Sequence, residues 1–158
     1  MTFIIEPFNQ NPIYIIKTDK KIIHCFNTET ERSNIDQSVV KSFGEELEKF
    51  YKFSDLYIDQ IGKSYFSFLD KNVLNKDTYT LDVGCGTDRW TKYFANKVKF
   101  IEAIDPSKAI YYANKLLGNI NNVRLSIAST DNIPFEDKSF DFGMSKGYYT
   151  IYLILKKL

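Results

Sequence analysis

The sequence predicts an α/β fold built on a parallel sheet, and three observations support this. After Asp77, short apolar segments alternate with amphipathic ones: TYTLDV, KFIEAID, NVRLSIA and SFDFGMS fit about four strands. The stretches between the first three fit helices, and this order favours parallel strands with helices on both faces of the sheet. The 158 residues, 44% of them hydrophobic and 16% aromatic, are enough for one core.

The residues before this region predict a β-hairpin followed by helices. The runs IYII and KIIHCF lie on either side of the polar loop Thr18–Lys20, which is typical of a hairpin. Apolar residues between Val39 and Phe50 recur at helical spacing, and Ser54 is a plausible N-cap for a second helix that runs to about Lys71. We therefore divide the chain into an N-terminal part, 1–76, and an α/β part, 77–158.

Charge and cysteine content exclude several classes of function. Lys and Arg number 21 against 20 for Asp and Glu, so the formal charge of +1 does not indicate a nucleic-acid partner. No apolar run reaches the roughly 18 residues of a membrane span, and the start lacks a signal-peptide pattern, so we expect a soluble, cytoplasmic protein. Cys25 and Cys85 lie far apart with a single His24, which predicts neither a disulfide framework nor a metal site. His24 is expected to be structural.

A glycine turn provides the first indication of a ligand. Leu81–Thr87 reads LDVGCGT, which ends a strand and opens a helix, so that backbone N–H groups can face a nucleotide-like molecule. Arg89 occupies the place of the third glycine in the dinucleotide fingerprint, which disfavours NAD and FAD. Asp105 ends the next strand, where a carboxylate can accept hydrogen bonds from ribose hydroxyls.

Four segments in order resemble one enzyme family. LDVGCGT followed by RWT, then IEAIDPS, then ASTDNIPFEDKSFDF, resembles the class I S-adenosylmethionine-dependent methyltransferases over about Thr80 to Lys146. The earlier segment SFGEELEKFYKFSD is similar to the lead-in of a bacterial subgroup of that family. The resemblance implies a Rossmann-like sheet, S-adenosylmethionine as cofactor and transfer of a methyl group to an unknown acceptor by direct displacement.

The resemblance also implies a cofactor site at the strand ends. Its residues are Asp82, Gly84, Cys85, Gly86, Asp88, Asp105, Pro106, Ser129, Thr130 and Ser145. Asp82 would lie near the methionine end of the cofactor and Asp105 on the ribose. Ser129 stands where the family usually places an Asp against the adenine. Ile104 and Ile133 would form apolar walls, and Ser145 would face the sulfonium and the acceptor.

The resemblance assigns no catalytic residue, because direct displacement of the methyl group needs no protein nucleophile. Tyr57, in the aromatic-rich helical region, is a candidate to close over the bound cofactor.

Two departures from the family pattern predict impaired activity. Asp88 stands where the family has a glycine, and its carboxylate would repel the carboxylate of the cofactor unless the side chain turns away to cap the helix. The resemblance also ends after the fourth strand, which predicts an incomplete, truncated domain. One alternative is a non-catalytic fragment that binds cofactor or serves as an interaction surface. A second alternative is a nucleotide-binding protein that uses NAD.

The segment after Gly147 carries two more predictions. The tail Tyr148–Leu155 is almost wholly apolar, so it should fold over the open edge of the strand Phe140–Ser145 or pair that edge with another copy. The family commonly reads LGVLHHIPDT where this chain reads KGYYTIYLILKKL. One permitted set of codons for the tail, read in the shifted frame, gives VLHHIPDTKKA. We therefore hypothesise a frameshift at Gly147.

Overall fold

The computed structural model describes residues 5–26, 54–70, 72–146 and 151–155. Within these ranges the elements follow one another as β1 (Tyr14–Lys17), β2 (Ile22–Cys25), α1 (Asp55–Tyr65), β3 (Tyr79–Val83), α2 (Arg89–Ala95), β4 (Phe100–Ile104), α3 (Ile110–Leu117), β5 (Val123–Ile127), β6 (Phe142–Lys146) and β7 (Ile151–Leu155). The mixed α/β class is as expected. None of the helices in these ranges has the length and apolar character needed to cross a membrane.

The strands form one seven-stranded sheet in the order β1-β2-β5-β4-β3-β6-β7. The five central strands are parallel, while β1 and β7 pair antiparallel at the two edges. The sheet has more strands than the four expected because β2 pairs with β5, which brings the N-terminal hairpin into the same sheet. At the other edge, β7 pairs with β6 from Phe142↔Leu155 to Lys146↔Ile151, so the chain covers that edge itself.

The helices lie on one face of the sheet. Side chains from all three helices, among them Ile58, Phe94 and Leu117, share one buried cluster with Ile101 and Leu125 of the sheet. The prediction of helices on both faces is therefore wrong for the described ranges. Helical periodicity indicates that a helix buries one side, but it does not indicate which face of the sheet receives it.

The opposite face is covered by irregular segments. Phe8 packs with Phe26 and Phe135 in a second cluster that includes no residue of a helix. Beneath Phe8, the fully buried Glu102 accepts a hydrogen bond from Arg124 Nε at 2.8 Å and forms an ion pair with Arg124 Nη2 at 2.7 Å. The guanidinium of Arg124 also lies 3.9 Å from the centroid of the Phe8 ring. A buried carboxylate is stable here because its charge is paired and hydrogen-bonded.

Two helix boundaries differ from expectation. The N-cap at Ser54 is confirmed, since its side chain accepts the N–H of Tyr57 at 3.2 Å, but α1 ends at Tyr65 rather than near Lys71. The helix expected between KFIEAID and NVRLSIA begins only at Ile110, five residues after Asp105. Ser107 instead belongs to a turn in which its N–H and hydroxyl bond to Asp105. The helix predicted between Val39 and Phe50 lies outside the described residues.

Candidate functional site

The glycine turn joins β3 to α2 at the carboxyl edge of the sheet. Gly84 and Gly86 have φ values of 71° and 61°, which side chains rarely tolerate. The N–H groups of Gly84 and Cys85 donate to the Ile104 carbonyl at 2.8 and 3.1 Å, which ties the turn to the end of β4. A Cβ added at Gly84 would meet no atom within 4 Å. The turn therefore faces open space in which a ligand can approach the backbone.

Asp105 fixes the same turn from the neighbouring strand. Its Oδ2 accepts the Gly86 N–H at 2.8 Å, and its Oδ1 accepts both the N–H and the hydroxyl of Ser107, at 2.7 and 2.5 Å. Burial raises the pKa of this carboxyl, while the three hydrogen bonds oppose the rise. A carboxylate has about four acceptor positions. Roughly one is thus left for a hydroxyl of a ligand.

Asp82 and Asp88 are joined through one hydroxyl. Thr91 Oγ1, on α2, lies 2.6 Å from Asp82 Oδ2 and 2.9 Å from Asp88 Oδ1. The hydroxyl has a single proton, so it can donate to only one of these carboxylates at a time. Both groups are almost fully buried. Burial raises the pKa of Asp82 to about 7, and burial and the nearby Asp82 raise the pKa of Asp88 strongly.

Asp88 occupies a glycine-like backbone position. Its φ is 68°, in the left-handed region, and it is the N-cap residue of α2 without a side-chain capping bond. The side chain therefore does not turn away to cap the helix, which was one of the two outcomes considered from the sequence. It points inward, and its Oδ2 is buried with no hydrogen-bond partner among the described residues. Burial raises the pKa of the Cys85 thiol, and the nearby Asp88 raises it further.

The other predicted residues lie at the ends of the neighbouring strands. On the β5 side, Ser129 is buried and Thr130 exposed, and Ile104 and Ile133 belong to one apolar cluster. Pro106 directly follows Asp105 and is half-buried. On the other side, Ser145 is half-buried on β6, one residue beyond the pair Asp82↔Met144. All ten residues thus lie along the carboxyl edge of β3, β4, β5 and β6.

Three further residues, Tyr57, His24 and Thr91, lie outside the set of ten predicted cofactor-binding residues. Tyr57 lies in the first turn of α1 and is 45% exposed, and its proposed closing over a cofactor stays a prediction. The ring of His24 packs against Phe8 at 4.9 Å between centroids, away from the glycine turn, in keeping with a structural residue. Sequence reasoning missed Thr91. The available signal was that Thr91 is a small hydroxyl residue one turn after the glycine turn, in the segment RWTKYFA.

Comparison with known proteins gives one matching family model and several solved structures with a similar fold. Residues 81–151, a little under half of the chain, match the family model described as a methyltransferase domain. This range contains the glycine turn, Asp105 and the ends of β5 and β6. A search of curated proteins gave no match.

Three solved structures have a similar fold, and two of them are described as methyltransferases. A SAM-dependent methyltransferase from Aquifex aeolicus aligns with a TM-score of 0.53 and 24% identity, covering 65% of this chain and 55% of that one. The complex of DhpI with SAH gives 0.52 and 17%, covering 71% and 53%. Phosphoethanolamine N-methyltransferase 1 from Haemonchus contortus gives 0.50 and 15%, covering 75% and 27%. This chain spans from about a quarter to just over half of their lengths.

The family match and the shared fold agree with the site geometry. The segment that matches the family begins in β3 and ends in β7, so it spans the parallel strands whose carboxyl ends form the site. Residues 81–151 therefore match a methyltransferase domain model, within a fold that is shared with solved methyltransferase structures.

Proposed function

We propose that the carboxyl edge of β5, β4, β3 and β6 binds S-adenosylmethionine in that order along the crevice. The adenine lies between Ile104 and the loop from Ser129 to Ile133, and the ribose lies against Asp105. The methionine end then falls over the glycine turn, beside Asp82. The observation that carries the proposal is Asp105, which supports the turn and keeps an acceptor position for a ribose hydroxyl.

The open space at Gly84 fits this placement, because a ligand there meets backbone rather than a side chain. When bound, S-adenosylmethionine supplies a methyl group on a sulfonium, ready for displacement by an acceptor. The role of the chain is to hold the two partners close together and in line, which needs no protein nucleophile. Ser145, at the end of β6, lies on the side from which an acceptor would approach.

We further propose that methyl transfer by this chain is weak. Asp88 adds a buried carboxyl group beside Asp82, and its ionised form opposes a ligand that carries its own carboxylate. The acceptor is unknown. The alternative of a non-catalytic interaction fragment has no structural observation of its own in its favour.

Isothermal titration calorimetry with S-adenosylhomocysteine and 5′-methylthioadenosine tests the binding proposal. We expect at least one of the two to bind and NAD to bind no more than weakly. A ligand at 100 times its dissociation constant should add about 2.7 kcal/mol of stability, so thermal unfolding gives a second readout. If neither adenosyl compound binds, or if NAD binds more tightly than both, the proposal is wrong.

A further inference from the structure

The methionine end of the crevice has an unusual concentration of buried acidic side chains. Asp82, Asp88 and Asp105 are each more than nine-tenths buried within the same turn region. The described ion pairs are Lys63–Asp59, Lys92–Asp55 and Arg124–Glu102, so none of them neutralises these three groups. Lys21 interacts electrostatically with Asp88 at long range, but its ammonium donates hydrogen bonds to the carbonyls of Ile120 and Val123.

Asp88 differs from the other two carboxylates in its bonding. Asp82 accepts the Thr91 hydroxyl, and Asp105 accepts three hydrogen bonds. Asp88 shares the same Thr91 hydroxyl through Oδ1, while its Oδ2 is buried without a partner in the described part of the chain. A buried acceptor without a donor is costly, and a cationic donor would relieve that cost.

The strand order decides which end of a ligand meets this charge. If the adenine lies at β5 and the ribose at Asp105 on β4, the remaining end of the ligand must lie over β3 and β6. That end of S-adenosylmethionine carries both an ammonium and a carboxylate. The ammonium is attracted by Asp82 and Asp88, whereas the carboxylate is repelled by them.

We propose that Asp88 is a specificity-determining residue, which makes the site favour adenosyl ligands that carry an amine but no carboxylate. This inference rests on the proposed function, because it places the adenosyl group as described above. The preference belongs to the ionised carboxylate of Asp88, which attracts a ligand ammonium and repels a ligand carboxylate. Protonated Asp88 can instead donate its hydroxyl to a ligand carboxylate, so the preference should increase as pH rises through the raised pKa of Asp88.

The groups that face Asp88 determine whether a proton is released when a ligand binds. They are Asp82 on β3, Cys85 in the turn and Asp105 on β4, together with the Thr91 hydroxyl on α2. All the titratable members of this set are acids, and Lys21 adds a longer-range electrostatic interaction with Asp88. Binding of an ammonium without a carboxylate should therefore release a proton to solvent, and binding of a ligand with both groups should release less.

Three adenosyl probes separate the charges. S-adenosylhomocysteine carries an amine and a carboxylate, its decarboxylated analogue carries only the amine, and 5′-methylthioadenosine carries neither. We expect the full chain at pH 8.5 to bind the decarboxylated analogue about tenfold more tightly than S-adenosylhomocysteine, and the preference to be smaller at pH 6.5. Calorimetry in buffers of different ionisation enthalpy should also detect greater proton release for the analogue.

Two variants make the test specific. Asp88→Asn keeps the shape and tolerates the left-handed backbone, and Asp88→Gly removes the side chain altogether. In both we expect the tenfold preference to disappear. Asp141→Asn, whose carboxylate bonds to Tyr79 N–H at the far end of β3, should keep the preference.

The possible results are distinct. If the ratio of the two affinities is the same in the wild-type chain and in Asp88→Asn, the specificity proposal is overturned while the adenosyl site stands. If none of the three probes binds, including 5′-methylthioadenosine, both this inference and the proposed function are overturned.

Discussion

Asp105 at the end of β4 accepts the backbone N–H of Gly86 at 2.8 Å, so one side chain links two neighbouring strand ends. The same carboxylate is the group that we assign to the ribose. A single residue thus shapes the turn and, in the proposed function, also binds the ribose.

Asp105→Asn should weaken binding of 5′-methylthioadenosine by at least about tenfold. The amide cannot accept both the Gly86 N–H and the Ser107 groups in the present arrangement, because one of its two ends is a donor. Affinity is measured by calorimetry. Asp141→Asn is the matched control, since it also loses a carboxylate that accepts a backbone N–H, but at the opposite end of β3. Equal losses in the two variants would contradict the assignment.

Asp88→Asn should stabilise the chain, and more so at high pH. Burial and Asp82 raise the pKa of Asp88, so at intermediate pH the folded chain keeps a proton that the unfolded chain has lost. The stability that depends on this proton is full below the ordinary Asp value of about 4 and falls as pH rises towards the raised pKa. Asn does not titrate, so the variant avoids this loss.

Thermal unfolding at pH 5 and pH 8 measures this effect. We expect the gain in Tm from Asp88→Asn to be larger at pH 8 by about 3 °C, which corresponds to about 1 kcal/mol for a chain of this size. The exposed Asp131→Asn provides the control and should change Tm little at either pH. A gain from Asp88→Asn that is independent of pH would mean that the carboxyl does not titrate differently on folding.

Gly62→Ala should destabilise the chain although Ala is the better helix former. Gly62 lies on the buried side of α1, and an added Cβ would overlap the ring of Tyr93 on α2. Overpacking of this kind costs about 1–3 kcal/mol, more than the roughly 1 kcal/mol gained in helix propensity. Ser64→Ala, on the exposed side of α1, should be neutral or slightly stabilising. Denaturant unfolding compares the two, and a stabilised Gly62→Ala would show that the helices separate easily.

Removal of residues 147–158 should cause self-association. In the full chain β7 pairs with β6 along its whole length, so the deletion leaves the backbone groups of β6 unpaired. An open parallel edge recruits further strands. Analytical ultracentrifugation over a range of concentrations should detect dimers or larger species in the shortened chain and fewer in the full chain. If the shortened chain is folded and monomeric at all concentrations, β6 does not act as a pairing edge.

The central strands and the position of the glycine turn could be predicted because both depend on local sequence. Buried parallel strands are short apolar runs, and the glycine turn and Asp105 come directly after two of them. Other features depend on partners distant in the chain. Nothing in the sequence of β2 indicates that it pairs with β5, and nothing in Asp88 indicates that it meets Asp82 through Thr91. These contacts arise only when the packing of α2 against the sheet is known.

The pairing of β2 with β5 affects how the chain folds during synthesis. The partner of Ile23 is Leu125, about a hundred residues later, so the hairpin leaves the ribosome long before its neighbour exists. Pairings of such long sequence separation form slowly, and the apolar hairpin is exposed to other chains while it waits. The half-exposed Ile15 and Ile22 add to that risk. We therefore expect the yield of native protein to depend on the speed of translation and on chaperones that bind apolar strands.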